Sequence, residues 1–153
     1  MLDSIDLKIL NILKANARIS VRKIAKEIGV SPASVSRRIK RLESLGIIKG
    51  YVTITDDMLL NICSLMLMID VDNKHNTESI CREIIKNPEV CMCLRAIGTY
   101  NIVALAACKD MKCSADLVEK IKKIPGVQKI EQTFIIDTYR IMGLDVKDIG
   151  KKR

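Results

Sequence analysis

Apolar residues in the first third of the chain recur every three or four positions, which is the spacing of helices packed on a core. The apolar positions of the first predicted helix are Ile5, Ile9, Ile12 and Leu13. Either Asp3 or Ser4 can cap this helix. A second helix begins after Ser20 and ends at Gly29, because glycine is favoured just beyond a helix C-terminus. The pattern therefore predicts two short helices before residue 30.

A third helix follows almost at once. Ser31 followed by Pro32 combines a capping hydroxyl with proline at the first helical position, and the helix is expected to run to about Leu45. Only residues 29–30 separate it from the second helix, which is the short connection of a helix-turn-helix. Residues 47–54 then alternate and are β-branched, so they predict a short hairpin, or wing.

The remaining two thirds of the chain alternate between strand and helix patterns, and the order occurs twice. The predicted strands are 62–71, 90–97, 101–108 and 127–137, and the predicted helices are 77–86 and 112–123. This doubled order is typical of a ferredoxin-like βαββαβ fold with four antiparallel strands. The chain is therefore assigned to the α+β class. Its expected parts are a winged helix-turn-helix (1–54), a linker (55–61) and a ferredoxin-like domain (62–153).

The first predicted strand is apolar on both sides, although the helices can cover only one face of the sheet. One side holds Cys63, Leu65, Leu67 and Ile69, and the other holds Ile62, Met66 and Met68. An exposed apolar face of this size needs a partner. A second copy of the chain, related by a two-fold axis, is the economical solution. We therefore expect a homodimer, with Leu67 as the position at which a charge tests the interface.

Charge changes this picture because it is unevenly distributed. The 153 residues include 26 Lys and Arg against 18 Asp and Glu, and residues 1–50 hold 11 of the basic but only 4 of the acidic residues. A basic module joined to a nearly neutral one is typical of a protein that binds a polyanion. No apolar run approaches the ~20 residues of a transmembrane helix. The N-terminus lacks a signal-peptide layout, so we expect a cytoplasmic location and no membrane partner.

The third helix has the chemistry of a DNA-recognition helix. The residues expected to face DNA are Ser31, Ala33, Ser34, Ser36, Arg37, Arg38, Lys40 and Arg41, with Lys49 from the wing. The small residues allow close approach to base edges, and the basic residues can reach guanine or phosphate. We expect Ser34 and Arg37 to reach bases and Arg41 to contact phosphate. An ordinary solvated helix face usually mixes charges, so the pattern favours double-stranded DNA as the partner.

Seven short motifs run through the chain. They are Asp3-x-x-Asp6, Asn16-Ala17-Arg18, Ile24-Ala25…Gly29-x-Ser31, Val35-x-x-Arg38-Ile39-x-x-Leu42-Glu43, Gly46-Ile47-Ile48-x-Gly50-Tyr51, Gly98-x-Tyr100 and Pro125-Gly126-Val127. Together they resemble the Lrp/AsnC (leucine-responsive, or feast/famine) family of prokaryotic transcription regulators. The resemblance implies an effector-binding and oligomerising second domain, and dimers that assemble into tetramers or octamers. It also implies sequence-specific binding to palindromic operators, and many members respond to amino acids.

The effector site implied by the resemblance lies around the turn between the second and third strands. Family members with amino-acid ligands usually carry acidic residues there, whereas this turn has no carboxylate to pair a ligand ammonium. Glu131 on the last strand can supply the missing charge. The candidate effector residues are Gly98, Thr99, Tyr100, Asn101, Glu131 and Thr133. An amino acid or another small molecule is the candidate ligand.

Two alternatives remain open at this point. The six cysteines, at positions 63, 81, 91, 93, 108 and 113, are expected to be small buried hydrophobes in a reducing compartment. Alternatively, Cys91, Cys93 and Cys108 hold a soft cation in a metal- or redox-sensing regulator. The second alternative is an enzyme like the sirohaem decarboxylases that resemble this family, but His75, the one histidine, is expected at the surface. The chain shows no catalytic constellation, cofactor motif or metal site of ordinary spacing, so an enzyme is not expected.

Overall fold

The computed structural model describes residues 2–55, 57, 60–141 and 144–145. The chain divides into two compact units, one comprising the residues up to Ile54 together with the segment from Tyr139, and the other comprising Thr55–Thr138. The domain boundaries expected from the sequence differ from this division at the C-terminus, because they place the last segment in the second domain. Those boundaries stay a proposal. Within the described residues, the helices lack the combination of length and apolar character that crossing a membrane requires.

The first unit contains the three predicted helices. They are α1 (Ser4–Ala15), α2 (Val21–Ile28) and α3 (Pro32–Ser44). Each begins at a residue whose side chain accepts a hydrogen bond from the backbone amide three residues later, namely Asp3, Ser20 and Ser31. The residue after α2, Gly29, has a positive φ of 81°, which glycine adopts without strain. The capping and termination signals therefore place the helix ends as predicted.

The helices of this unit enclose a small apolar core. Its fully or nearly fully buried members are Ile9, Ile24, Ala25, Val35 and Leu42. They come from all three helices, and Val35 and Leu42 mark the inner face of α3 as the sequence pattern predicts. The opposite face of α3 is consequently the one that the fold leaves toward solvent.

Residues 47–54 do not form the predicted hairpin, because no strand lies within this fully described segment. The backbone amides of Ile47 and Ile48 both donate to the carbonyl oxygen of Leu42, which closes the end of α3. The Tyr51 hydroxyl donates to Glu43 Oε1 at 2.9 Å. The segment is therefore hydrogen-bonded to the end of α3 rather than to itself, and the prediction of a hairpin was wrong.

The second unit has the predicted βαββαβ order. Its elements are β1 (Cys63–Val71), α4 (Thr77–Ile84), β2 (Val90–Arg95), β3 (Ile102–Cys108), α5 (Met111–Lys122) and β4 (Val127–Phe134). The strands form an antiparallel sheet in the order β2-β3-β1-β4. This confirms the ferredoxin-like arrangement. A separate pair of short strands, β5 (Arg140–Ile141) and β6 (Leu144–Asp145), follows it.

The two faces of this sheet differ. Alternate residues of β1 and β3 are buried with apolar residues of α4 and α5, and these buried residues are Leu65, Leu67, Ile69, Val71, Ile102, Ala104, Ala106, Cys108, Ile80, Ile84, Leu117 and Ile121. On the other face, the half-buried Met66, Met68, Val103 and Leu105 lie opposite one another in register. Leu67 is fully buried on the helix side. Choosing Leu67 to test a dimer interface was therefore wrong, because strand alternation assigns the open face to its neighbours.

Candidate nucleic-acid interface and effector region

The leading turn of α3 presents small side chains. The Ser31 hydroxyl accepts a 3.2 Å hydrogen bond from the Ser34 amide, so it is occupied by the capping interaction. Ala33 is exposed, whereas Ser34 and Ser36 are half-buried. With Pro32 at the first helical position, this end of the helix has no long side chain that would hold it away from a surface. A groove of double-stranded DNA admits such a helix.

Three of the predicted basic residues are exposed and extend from the same region. Arg37 and Lys40 lie three residues apart on the outer side of α3, and Lys49 lies in the segment that follows the helix. None of the three forms an ion pair with another residue in the described part of the chain. Their charges are therefore available to an external anion.

Arg38 and Arg41 have a different environment. Arg38 Nη1 donates to Asp3 Oδ2 at 2.6 Å and to Asp6 Oδ1 at 2.7 Å, and Arg41 Nη2 pairs with Asp6 Oδ2. The Arg38 side chain is 19% exposed, that of Arg41 is 46% exposed, and that of Asp6 is completely buried. The four basic residues of α3 that are expected to face DNA therefore differ in their contacts within the chain. Two of them are already neutralised within the chain, because α1 brings two carboxylates to the side of α3.

The pKa values of these carboxyl groups reflect the same contacts. The hydrogen bond from the Asp6 amide, followed by that from Arg38, lowers the pKa of Asp3. For Asp6, desolvation is the largest single effect and would raise the pKa. The hydrogen bonds from the Asp3 amide and Arg38, with the charge of Arg41, outweigh that desolvation, and the pKa of Asp6 lies below its ordinary value. Both groups are consequently ionised at neutral pH.

Two further basic residues were missed by the sequence reasoning. Arg22 and Lys23 occupy the first turn of α2, both are exposed, and neither pairs with a carboxylate of the described residues. A helix N-terminus favours anions, and in a helix-turn-helix the first of the two helices crosses the DNA backbone. Two consecutive basic residues directly after the Ser20 cap were the signal that could have identified them.

The effector candidates only partly converge. Tyr100 hydrogen-bonds Glu131, which raises the pKa of Tyr100, and Lys129 Nζ donates to Glu131 Oε1 at 2.7 Å. Hydrogen bonds from Lys129 and Tyr100 lower the pKa of Glu131. Glu131 lies opposite Met68 on the open face of the sheet. Lys129, which the sequence reasoning did not select, therefore completes a network with one acid, one base and one phenol.

The other candidates have separate roles. Asn101 Oδ1 accepts a 2.8 Å hydrogen bond from the Val71 amide, so this oxygen supports the end of β1. Gly98 and Thr99 are exposed in the turn. Among the described residues, neither of them is hydrogen-bonded to Glu131. Thr133 is exposed, lies opposite Met66, and is two residues from Glu131 on the same face of β4.

The cysteines do not form the proposed soft-metal cluster. Cys93 lies opposite Ala104, whereas Cys108 lies opposite Cys63, four residues further along β3. At 3.3–3.4 Å per residue this separation is about 13 Å, too far for one ion. In the part of the chain that is described, no three His, Cys, Asp or Glu side chains are placed to hold a metal.

Burial accounts for the chemistry of these thiols. Desolvation, with the neighbouring thiol of Cys81, raises the pKa of Cys93 to about 12. Desolvation and the neighbouring Cys113 raise the pKa of Cys108 to about 12. Both thiols therefore stay protonated at neutral pH and lack the thiolate needed for reactivity. The expectation that the cysteines are buried holds fully for Cys108 alone, because Cys91 is exposed and the other four are half-buried.

His75 lies at the surface, as expected, and its Nδ1 is 2.8 Å from Asp72 Oδ1. Its ring packs against Gly126, where an added Cβ would come within 2.7 Å of the histidine side chain. This glycine also has a positive φ of 94°. The Pro-Gly turn before β4 thus requires glycine for two reasons, and His75 has a structural partner rather than a second histidine.

Comparison with known proteins adds independent findings. A family model described as winged helix-turn-helix DNA-binding matches residues 2–49, and one described as Lrp/AsnC ligand binding domain matches residues 64–143. The chain is 34% identical to the HTH-type transcriptional regulator Ptr1 of Methanocaldococcus jannaschii, over 92% of this chain and 95% of that protein. It is also 34% identical to the HTH-type transcriptional regulator LysM of Saccharolobus solfataricus, over 90% and 96% of the two chains.

The fold also matches solved structures. A transcriptional regulator of Neisseria meningitidis, solved as a complex with L-Met, superposes with a TM-score of 0.79. It is 24% identical in sequence, and the match covers 97% of this chain and 99% of that one. At this identity the likeness concerns the fold, and it extends over both units.

Proposed function

This chain belongs to the Lrp/AsnC family of DNA-binding transcriptional regulators, and from that membership we propose that it binds palindromic operators as a homodimer through α3. It is a regulator and not an enzyme, so the sirohaem decarboxylase alternative is set aside. The metal- or redox-sensing alternative is set aside as well. We place the protein in the cytoplasm, where a DNA-binding regulator meets its operator.

The proposed DNA interface is supported by Arg37 and Lys40, which are exposed, lie beyond a leading turn of small residues and have no ion-pair partner among the described residues. In this proposal Ser34 and Arg37 reach base edges, and Lys40 and Lys49 contact phosphates. Ser31, Ala33 and Ser36 allow the close approach. We add Arg22 and Lys23 as phosphate contacts from the start of α2.

A two-fold dimer places two copies of α3 in successive major grooves. The half-sites of the operator are then separated by about 10 base pairs, or by a multiple of that helical turn. Selection of bound sequences from random duplex DNA by the full chain tests this proposal. Recovery of an inverted repeat with that spacing supports it. Recovery of no sequence preference, with binding that depends only on duplex length, contradicts it.

The open face of the sheet supports the proposed dimer. Its centre is apolar on three strands, where Met66 and Met68 of β1 lie beside Val103 and Leu105 of β3, and Leu94 of β2 lies opposite Val103. The sheet's own helices are all on the other side. A second copy that packs its equivalent face here would cover both apolar surfaces by one two-fold contact. Tetramers and octamers of such dimers belong to the same proposal.

Replacement of Met66 by Asp tests this interface. A carboxylate buried at the centre of a dimer contact lacks a partner, so Met66→Asp should weaken association by several kcal/mol. Sedimentation of the full chain at micromolar concentration measures the result, and Lys112→Asp on the exposed surface of α5 serves as a charge-changing control. A stable wild-type monomer, or an unchanged dimer in Met66→Asp, would show that the sheet face is not the interface.

The network of Tyr100, Lys129 and Glu131 supports an amino acid as the proposed effector. A zwitterion has an ammonium group that suits Glu131 and a carboxylate that suits Lys129, so it can replace the internal pair with two charge-assisted contacts. The network borders the open sheet face, where a dimer would form a concave site. The neisserial regulator that shares this fold was solved with L-Met, which is consistent with a ligand of this class.

Thermal unfolding in the presence of individual amino acids tests the effector proposal. A ligand present at ~100 times its dissociation constant adds about 2.7 kcal/mol of stability. Glu131→Gln should abolish that gain, whereas Glu78→Gln, which removes an exposed carboxylate from α4, should retain it. No gain with any amino acid would indicate a regulator that works without such an effector.

A further inference from the structure

We propose that Asp6, assisted by Asp3, is a specificity-determining residue that withholds Arg38 and Arg41 of α3 from the DNA backbone. The inference rests on the proposed function, because it requires α3 to face DNA. Its starting point is that two of the four basic side chains of α3 already have carboxylate partners inside the chain. Asp6 acts through the arginines and is therefore a positioning residue.

The geometry of these contacts makes them durable. Asp6 is completely buried, and its two oxygens accept from different arginines. Its Oδ1 accepts a 2.7 Å hydrogen bond from Arg38, and its Oδ2 accepts a hydrogen bond from Arg41 Nη2. Asp3 adds a 2.6 Å bond to the same Arg38 nitrogen. Removing a guanidinium from a buried carboxylate leaves that charge without compensation, which is strongly unfavourable. A solvent-exposed phosphate would have to replace Asp6 as the partner at that cost.

The pairing also orients the two arginines. Arg38 and Arg41 are three residues apart on the side of α3 that faces the start of α1. Arg37 and Lys40 each precede one of them by a single residue, which places them on a neighbouring side of the helix. The latter two have no carboxylate partner among the residues described. The helix therefore has two charges that are neutralised on the side facing α1. Its other two charges lie on the neighbouring side and are not paired by the described residues.

This division bears on sequence discrimination. Non-specific binding to duplex DNA arises almost wholly from phosphate contacts, and each contact contributes about 0.9 to the slope of log affinity against log salt. Contacts to base edges contribute mainly on the specific site. Withholding Arg38 and Arg41 from phosphates therefore lowers non-specific affinity more than specific affinity. The ratio of the two affinities decides where a regulator is bound in a genome.

The test measures binding of the full chain to a short duplex of random sequence over a series of NaCl concentrations. The variants are Asp6→Asn, which releases Arg41 and leaves Arg38 with Asp3 as its one carboxylate partner among the residues described, and the double variant Asp6→Asn with Arg41→Gln, which removes the released Arg41 charge. Glu27→Gln is the matched control, because it removes one negative charge from an exposed position of α2 in the same unit. Far-ultraviolet circular dichroism confirms that each protein is folded.

We expect Asp6→Asn to bind the random duplex more tightly than the wild type and with a steeper salt dependence. The slope should increase by about 0.9 for each arginine released in each protomer, which corresponds to roughly 3-fold in affinity per contact between 200 and 50 mM salt. The double variant should lose the Arg41 share of this increase. Glu27→Gln should keep the wild-type slope, since a change of net charge alone adds no phosphate contact.

An unchanged slope in folded Asp6→Asn would overturn the inference, because the carboxylate would then only stabilise the fold. If Asp6→Asn does not fold, Arg41→Gln in the wild-type background decides the matter. The inference expects no change in slope for that variant, and a slope lower by about 0.9 per protomer overturns it. A wild-type protein that binds no duplex at all would instead contradict the proposed function itself.

Discussion

The first, helical unit and the second, sheet unit each have one face that the described residues leave uncovered, and the two faces have opposite chemistry. The outer face of α3 is polar, with exposed charges at Arg37 and Lys40, whereas the open side of the sheet is apolar at Met66 and Leu105. Both faces arise in the same way, because an amphipathic element buries one side and leaves the other. What remains on the exposed side indicates which kind of partner the unit can bind.

The two units also use charge differently. In the helical unit, Asp6 is buried and holds two arginines in place. In the sheet unit, Glu131 is half-buried on the open face and pairs with a lysine from its own strand. A buried carboxylate with two guanidinium partners is part of the fold, whereas a carboxylate at an open face can exchange its partner for a ligand. The same residue chemistry therefore holds side chains in place in one unit, and in the proposed effector site of the other it would bind a ligand.

The largest expected effect concerns the two sides of β1. Leu67→Ala should lower the free energy of unfolding by about 2–5 kcal/mol, because the side chain is completely buried against the helices. Urea denaturation measures this change. Met66→Ala, on the open side, should chiefly weaken self-association. If Leu67→Ala stays within the ~0.5 kcal/mol typical of surface substitutions, the two sides of the strand have been assigned wrongly.

The next effect concerns the free charges of the helical unit. Arg37→Ala should weaken binding to the selected operator by about 1–3 kcal/mol and relax the preference at one base position. Quantitative titration of the operator and of single-base variants measures both results. Lys14→Ala removes an equal charge from the exposed side of α1. An equal loss in Lys14→Ala would mean that binding is diffuse electrostatic attraction rather than recognition by α3.

Acid should affect the helical unit through Asp3 and Asp6. Their pKa values are lower in the folded chain, so the unfolded chain binds more protons as the pH falls. Their contribution to stability is fully present above the ordinary carboxyl pKa of about 3.9, and it is lost as the pH falls through the lower pKa values of the folded chain. Hydrogen exchange resolved along the sequence should show this loss in α1 and α3. In Asp6→Asn, the hydrogen-exchange protection of α1 and α3 should depend less steeply on pH in that range.

The smallest expected effect concerns the segment after α3. Tyr51→Phe removes the 2.9 Å hydrogen bond to Glu43, and both side chains are exposed. The loss should be about 0.5 kcal/mol, at the lower end for a protein hydrogen bond. Urea denaturation measures it. A larger loss, above ~1.5 kcal/mol, would show that this segment contributes to the unit more than its visible contacts indicate.

Local signals predicted most of the elements correctly. Ser20, Ser31 and Gly29 place helix ends because a cap is a contact between residues near in sequence. The alternation of β1 and β3 and the spacing of α4 and α5 likewise depend on neighbours a few residues apart. The hairpin at 47–54 was predicted wrongly, because its residues favour strands locally but are bonded to Leu42 and Glu43 instead. The side of β1 to test was also chosen wrongly.

The three helices, the βαββαβ order and the basic character of the first unit follow from the amino-acid sequence alone, since each depends on the type and spacing of nearby residues. Which charges of α3 have carboxylate partners could be read only from the folded chain. Asp6 meets Arg38 and Arg41 across sequence separations of 32 and 35 residues. The tertiary structure was likewise needed to assign Glu131 to the open face of the sheet, because that assignment follows from its register with Met68. A pairing between distant residues leaves no periodic trace in either segment, because each residue type is locally compatible with solvent as well as with its partner.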